Sequence, residues 1–172
     1  MASQVLTRVT YSPDVVEFLR LLDRFKVRYL IVGGEAVIFH GYPRLTGDID
    51  FFYERTLRNV ARLFKALEMF WEKKIPGVKR ANELLEPGVV IQFGRPPNRI
   101  DLHSQIDGVS FASAWHSRVP ARLKSRSSSL RLFYIGIIPL LRNKRATARF
   151  KDLDDVEHLA PSKKSRSTKR KE

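Results

Sequence analysis

The chain has 172 residues, and its 32 lysine and arginine residues against 18 acidic residues leave a formal net charge of +14. It contains no cysteine, which excludes disulfides and thiolate zinc sites and fits a reducing cytoplasm. Hydrophobic residues make up 43% of a chain long enough for one core, which excludes a wholly disordered protein.

The basic balance predicts a polyanionic partner, either nucleic acid or nucleotides, rather than charge that serves solubility alone. No apolar run approaches the length of a signal-peptide core or a membrane span. We therefore expect a cytoplasmic protein without a membrane partner.

The first half of the chain alternates helical and strand patterns. Ser12 and Pro13 predict the start of a helix, and apolar residues at helical spacing extend it to about residue 25. The next apolar run predicts a central strand that Gly33 and Gly34 interrupt. The predicted elements that follow the first helix are a strand over 27–32, a short helix over 35–40, a strand over Asp48–Tyr53 and a helix capped at Thr56 that reaches residue 70.

Shorter elements are predicted in the second half of the chain. They are a helix over 78–85, strands over 89–93 and 99–102, a helix over Phe111–His116, a strand over 130–135, and helices over 138–148 and 151–159. The turn-rich segment 94–98 predicts a hairpin between the first two of these strands, and the polar stretch 122–129 is expected to be a loop. Because helices and strands are interleaved without a regular βαβ series, the expected class is α+β with a mixed sheet.

The last residues of the chain differ from the rest in composition. Residues 162–172 are almost entirely serine, lysine and arginine, and such a segment buries too little apolar surface to offset its ordering entropy. We therefore expect one domain over 1–161 and a disordered basic tail over 162–172.

Two carboxylates lie side by side in one predicted strand. Asp48 and Asp50 are two residues apart in an apolar run, so their side chains point to the same face of the strand. Neighbouring anions repel each other, and partial burial adds to that cost. A divalent cation would offset both costs, so the pattern predicts a magnesium site beside the glycines of 33–34, where backbone can approach phosphate closely.

A third carboxylate, Asp101, lies in another apolar strand. If that strand lies beside the one carrying Asp48 and Asp50, three carboxylates converge on one face of the sheet. Such hard oxygen ligands suit Mg²⁺, which usually shares them with substrate phosphates and water. Two such ions can activate a hydroxyl and stabilise a leaving phosphate oxygen. Asp101 would serve as a ligand, or alternatively as a base, for the attacking hydroxyl.

Together these residues resemble the polymerase-β-type nucleotidyltransferase superfamily, and in particular the bacterial minimal nucleotidyltransferases and the AbiEii-type abortive-infection toxins. The family pattern of Val-Gly-Gly, His-Gly, arginine, threonine and Asp-x-Asp is met at 32–34, 40–41, 44, 46 and 48–50. The likeness continues at 97–102, 107–111 and 143–155, and it spans most of the chain.

The resemblance implies a polymerase-β-like fold, in which helices flank a mixed sheet and further helices follow at the C-terminal end. It also implies a two-metal transfer of a nucleoside monophosphate from a nucleoside triphosphate to an acceptor hydroxyl, with Mg²⁺ or Mn²⁺ as cofactor. Asp48 and Asp50 would hold both metal ions, and Asp101 would hold the catalytic one. The residues implied to bind the nucleotide are Gly33, Gly34, Arg44, Thr46 and Lys144, the last through the triphosphate.

The positive charge favours RNA as the acceptor, and the toxin relatives modify transfer RNA ends. We therefore expect a tRNA-directed transfer, with a cognate antitoxin protein as a further partner and a protein side chain or small molecule as the alternative acceptor. The alternative function is a catalytically weak or inactive module of the same fold that binds RNA or a partner protein. Glu35, directly after the glycines, and Gly47, where relatives often carry a basic residue, favour that alternative.

Two basic residues allow more than one interpretation. Arg44 either pairs with a carboxylate or binds phosphate. Lys144, with arginines at 142 and 145, either contacts the triphosphate or lies on a solvated basic face of its helix. The histidines show no shared metal-ligand spacing and are expected to pack or to hydrogen-bond in turns: His40, His103 and His116.

A second acidic pair lies near the end of the chain. Asp152 and Asp155 are three residues apart in a predicted helix. We expect them to cap that helix or to pair with Arg149 and Lys151 rather than to bind metal.

Overall fold

The computed structural model describes residues 4–6, 11–124 and 129–160 of the chain. The strands within these residues are β1 Gln4–Leu6, β2 Tyr29–Val32, β3 Asp48–Tyr53, β4 Val90–Phe93, β5 Arg99–His103, β6 Val119–Lys124 and β7 Ser129–Tyr134. They form one mixed sheet in the order β1-β6-β7-β2-β3-β5-β4.

Helices in the described residues are α1 Pro13–Arg24, α2 Gly33–Phe39, α3 Leu57–Phe70, α4 Phe111–His116, α5 Ile137–Thr147 and α6 Phe150–Leu159, with a 3-10 helix over Ala81–Leu85. Two of them begin at the caps that the sequence predicts. Ser12 Oγ accepts a hydrogen bond from the backbone N–H of Val15, and Thr56 Oγ1 accepts one from the backbone N–H of Asn59. These side chains satisfy amide groups that the first turn of a helix leaves unpaired.

The expected α+β class with a mixed sheet is confirmed, and most predicted elements lie within one or two residues of the observed ones. Two strands, β1 and β6, are absent from the sequence prediction. The loop expected over 122–129 is wrong for residues 122–124, which belong to β6, and for Ser129, which begins β7. In β6, the inward-facing residues are Val119, Ala121 and Leu123. They alternate with Pro120 and Arg122, and this short run is a weak strand signal in the sequence. The strand forms because its backbone pairs with both β1 and β7.

Helices pack on both faces of the sheet, and the rings of two consecutive residues show this arrangement. Phe51 contacts Phe18 of α1 edge to face, with ring centroids 5.6 Å apart. Phe52 points to the opposite face and contacts Phe111 of α4, with centroids 5.2 Å apart. Because side chains alternate along a strand, the Phe52 face of β3 is also the face that carries Asp48 and Asp50.

Strand β3 lies between β2 and β5, and this pairing positions the acidic residues. It runs antiparallel to β2 and parallel to β5, with Asp50 directly paired to Asp101 and Asp48 paired to Arg99. The hairpin expected between β4 and β5 is also confirmed. The strand that carries Asp101 therefore lies beside the strand that carries Asp48 and Asp50, as a cluster of three carboxylates requires.

The basic tail predicted over 162–172 lies outside the described residues. Among the helices that the structure describes, none combines the length and the apolar character needed to cross a membrane.

Candidate functional site

A polar cleft of about 410 Å³ lies over β3 and β5. All eight residues that the sequence analysis assigned to the site line this cleft: Gly33, Gly34, Arg44, Thr46, Asp48, Asp50, Asp101 and Lys144. They come from two strands, two helices and the segment between α2 and β3. The tertiary structure therefore brings the predicted residues together in one place.

One side of the cleft is formed by alternating residues of β3 and β5, which we call the acidic wall: Asp48, Asp50, Arg99, Asp101 and His103. Their two-residue spacing places all five side chains on one face of the sheet. The parallel register sets the carboxylates of Asp50 and Asp101 on neighbouring strands at the same level. Three anions therefore lie close together, and each needs a partner.

Arg99 partners two of these anions. Its Nη2 lies 2.6 Å from Asp48 Oδ2, and its Nε and Nη2 each lie 2.9 Å from an oxygen of Asp101. Gln92 Nε2 donates a further bond of 3.0 Å to Asp101 Oδ2. Asp101 is only 3% exposed, so these donors replace the water that its carboxylate has lost. The hydrogen bond to Asp101 and the nearby carboxylates raise the pKa of Arg99 above its ordinary value.

His103 partners the third carboxylate, with Nε2 2.9 Å from Asp50 Oδ1. One donor atom from each of Asp50, Asp101 and His103 lies within 4.8 Å of the other two, a spacing compatible with a shared metal ion. The expectation that His103 merely packs or bonds in a turn is wrong. Its two-residue spacing from Asp101 was the signal that could have placed it in the site.

The backbone at two glycines of the cleft lies so close to neighbouring side chains that an added Cβ would not fit. Gly33 has a φ of +61°, and a Cβ on it would collide with the carboxylate of Asp50. A Cβ on Gly34 would come within 2.6 Å of Thr46 Oγ1, which donates a 3.0 Å hydrogen bond to Asp48 Oδ1. Glycine is therefore required at Gly33 for the backbone to lie this close to Asp50, and at Gly34 for it to lie this close to Thr46.

Glu35, the next residue, is not among the residues that line the cleft. Its carboxyl is half-buried and accepts a hydrogen bond of 3.3 Å from the hydroxyl of Tyr11. Burial raises the pKa of Glu35, the negative charges of Asp50 and Asp48 raise it further, and the bond from Tyr11 opposes the shift. Gly47, in contrast, does line the cleft, where it packs against Pro96.

On the other side of the cleft, α5, α6 and the segments before β3 and before α6 supply five charged residues that we call the buried ion cluster: Arg44, Lys144, Arg149, Asp152 and Asp155. Lys144 Nζ lies 2.6 Å from Asp152 Oδ1 and 2.9 Å from Asp155 Oδ2, and all three side chains are at least nine-tenths buried. The alternative that Lys144 lies on a solvated helix face is therefore wrong. Its charge is instead balanced inside the protein.

The arginines complete the cluster. Arg44 Nε lies 2.9 Å from Asp155 Oδ1, so Arg44 pairs with a carboxylate while its side chain also lines the cleft. Arg149 Nε lies 2.6 Å from Asp152 Oδ2, which confirms one of the two pairs expected for these acids; Asp155 pairs with Lys144 and Arg44 rather than with Lys151. Burial alone would raise the pKa of Asp152, but the hydrogen bonds from Arg149 and Lys144 outweigh it and lower that pKa.

The cleft thus has the acidic wall on one side and basic residues on the other, an arrangement able to bind a divalent cation together with an anion. Several residues that line it were not predicted as site residues, among them Gln92, Arg99, His103, Arg149 and Lys151.

No family model matches the chain, and no curated protein matches it significantly.

Proposed function

We propose that this chain is a metal-dependent nucleotidyltransferase with a fold of the polymerase-β type. It would transfer a nucleoside monophosphate from a nucleoside triphosphate to an acceptor hydroxyl. The observation that carries the proposal is the direct pairing of Asp50 and Asp101 on neighbouring strands, with Asp48 on the same face and Gly33 against Asp50. Carboxylates beside closely approaching backbone suit a metal-bound polyphosphate.

The residues present fit a divalent cation. Asp50, Asp101 and His103 offer two carboxylates and an imidazole within 4.8 Å of one another, and Asp48 lies on the same face. This donor set suits Mg²⁺ and suits Mn²⁺ as well, since imidazole is a better ligand for transition metals. When bound, such a cation would neutralise phosphate charge and lower the pKa of the acceptor hydroxyl.

The reaction would proceed at the α-phosphorus of the nucleotide. The acceptor oxygen forms a bond to that phosphorus, the bond from the phosphorus to the α–β bridging oxygen breaks, and pyrophosphate leaves. The hydroxyl proton moves to a carboxylate oxygen of Asp101. Arg99 and Gln92 hold that carboxylate in a fixed orientation before substrate arrives, and the backbone at Gly33 and Gly34, which carries no side chain, can approach the phosphates closely.

We propose RNA, specifically transfer RNA, as the acceptor, because the net charge of +14 favours a polyanion. The same charge disfavours a small cationic acceptor. The resemblance to the abortive-infection toxins extends the proposal to an antitoxin protein that restrains the activity.

A second candidate function is a non-catalytic module that binds RNA or a partner protein through the same fold. One observation favours it: Arg99 already pairs with both Asp48 and Asp101, through hydrogen bonds of 2.6 and 2.9 Å. These two carboxylates are thereby paired without a metal ion.

The decisive experiment incubates the protein with each α-³²P-labelled nucleoside triphosphate, Mg²⁺ or Mn²⁺, and total RNA. Wild type should label RNA, and the Asp48→Asn/Asp50→Asn variant should not. Asp14→Asn, an exposed aspartate at the start of α1, is the matched control and should label RNA like wild type. Labelling at the wild-type rate by the double variant would refute the transferase, and RNA binding without labelling by wild type would favour the second candidate.

A further inference from the structure

The basic residues around the cleft differ in how freely they can meet a ligand. Lys144 is 3% exposed and contacts two carboxylates. The side chain of Arg149 is 60% exposed. Lys151 is exposed and also lines the cleft, and it forms no ion pair within residues 11–124 and 129–160. Arg149 and Lys151 are accessible to a ligand, whereas Lys144 is buried against two carboxylates, so we expect them to differ in how they contact a ligand.

We propose that Arg149 and Lys151 make the direct contacts to the phosphates of the donor nucleotide, and that Lys144 is a positioning residue that acts through Arg149. This inference rests on the proposed function. It assigns the phosphate contacts to two residues that were not predicted as site residues from their sequence pattern.

Lys144 is poorly placed to bind a phosphate itself. Its ammonium group already contacts Asp152 and Asp155, whose side chains are fully buried. Turning the ammonium toward a ligand would leave those two carboxylates short of a partner in a site without water, and breaking a buried pair in this way is strongly unfavourable. The contact between Lys144 and Asp152 instead fixes the carboxylate that Arg149 also uses.

Arg149 is well placed for the same task. Within the described part of the chain, only its Nε forms a hydrogen bond, to Asp152 Oδ2 at 2.6 Å, which leaves the outer N–H groups of the guanidinium for the bidentate contacts that phosphate favours. Arg149 also lines the same cleft as the carboxylates of the acidic wall. Its hydrogen bond to Asp152 raises its pKa, and the negative charge of Asp50 raises it further by a smaller amount.

The basic residues on this side of the cleft outnumber the carboxylates, which leaves positive charge that can bind an anion. Three cations, Arg44, Lys144 and Arg149, face two carboxylates in the buried ion cluster, which leaves one positive charge. Lys151 adds a second positive charge at the same lining. A polyphosphate would therefore meet an accessible cationic surface opposite the carboxylates of the acidic wall.

The test measures binding of sodium tripolyphosphate with Mg²⁺ by isothermal titration calorimetry, which needs neither the correct base nor turnover. Arg149→Gln and Lys151→Gln should each weaken binding about tenfold or more, the effect of one lost charge-assisted contact. Arg145→Gln removes the same charge from an exposed residue of α5 that does not line the cleft, and it should bind within about twofold of wild type.

A double-mutant cycle tests the role of Lys144. Lys144→Met should weaken tripolyphosphate binding in the wild-type background but add nothing further in the Arg149→Gln background. A direct contact would instead lose affinity additively. Lys151→Gln changes an exposed side chain that forms no ion pair within the described residues, so its result decides a phosphate contact even if Lys144→Met does not fold.

The outcomes separate this inference from the proposed function. Unchanged tripolyphosphate binding by Arg149→Gln/Lys151→Gln overturns the inference, while RNA labelling by wild type still upholds the transferase. A loss confined to binding of a single-stranded oligoribonucleotide also overturns it, because the two residues would then serve the acceptor. Absence of tripolyphosphate binding by wild type overturns the inference and counts against the transferase as well.

Discussion

The acidic wall and the buried ion cluster face the same cleft and use the same chemistry, basic side chains paired with aspartates, but one ion pair of each region differs clearly in burial from the other. In the acidic wall, the paired side chains of Arg99 and Asp48 are 29% and 30% exposed. In the buried ion cluster, Lys144 is 4% exposed and Asp152 is 0% exposed at the side chain. The distances are alike, since the shortest pair in each measures 2.6 Å.

Distance therefore does not tell which ion pairs serve a ligand. A pair that water reaches contributes little to stability and can exchange its partner for a metal ion or phosphate at small cost. A pair without water resists separation, because each charge left alone in the interior is strongly destabilising. We infer that the acidic wall is the reactive side of the cleft, and that the buried contact between Lys144 and Asp152 joins α5 to α6 and holds Arg149 in place.

The largest expected effect tests this contrast directly. Lys144→Met should lower the free energy of unfolding by about 3–5 kcal/mol, because it leaves two buried carboxylates with fewer partners. Urea denaturation monitored by tryptophan fluorescence measures the change. Arg145→Met, at the exposed neighbouring position, is the control and should stay within about 0.5 kcal/mol of wild type. A loss below about 1 kcal/mol for Lys144→Met would show that the buried ion pairs stabilise the fold no more than the exposed ones do.

The next effect concerns the backbone that faces the acidic wall. Gly33→Ala should destabilise the fold by about 1–3 kcal/mol, since a left-handed φ is unfavourable for alanine and the new Cβ would displace Asp50. Gly77→Ala is the matched control, because Gly77 has a φ of +75° but no atom within 4 Å of the added Cβ. Thermal unfolding compares the two. Equal losses would show that the contact with Asp50 adds nothing to the backbone cost.

A smaller effect on stability is expected in the acidic wall itself. Asp48→Asn breaks a pair that is about 30% exposed and relieves repulsion among the carboxylates, so stability should change by no more than about 1 kcal/mol. RNA labelling should nevertheless be lost. Denaturation and labelling assays on one preparation separate the two effects. A stability loss as large as that of Lys144→Met would mean that both regions are structural.

The smallest effect concerns Glu35, whose raised pKa means that the folded state favours its neutral form. Ionisation therefore costs stability as pH rises above the ordinary value of 4.5, and this cost levels off above the folded-state pKa. Glu35→Gln should be more stable than wild type at neutral pH, by no more than about 1 kcal/mol, and should lose this advantage in acid. Denaturation at a series of pH values checks the trend, which a pH-independent difference would contradict.

The sequence predicted the parts of the site that depend on local pattern. The spacing of Asp48 and Asp50 placed both carboxylates on one strand face, and the apolar context of Asp101 placed it in a strand as well. The same rule applied to Arg99 and His103 would have added them to that face. The predicted strand over 99–102 ends one residue before His103, so His103 was not recognised as part of the strand face that carries Asp101.

Other features depend on contacts between residues far apart in the chain. Arg44 and Asp155 are paired at 2.9 Å although 111 positions separate them, and no periodicity relates them. Strand β6 forms because β1 and β7 supply its backbone partners, which its own residues do not reveal.

The amino-acid sequence by itself determined the α+β class, the helix caps at Ser12 and Thr56, and the alternation that aligns the acidic residues of β3, because each depends on backbone geometry over a few neighbouring residues. Only the tertiary structure decided which charges are accessible. Lys144 and Arg149 both lie near a helix end and both contact Asp152, yet α5 and α6 exclude water from the first and leave the second exposed. Burial is a property of the whole packed molecule, and it sets whether an ion pair holds the fold together or remains free to exchange with a ligand.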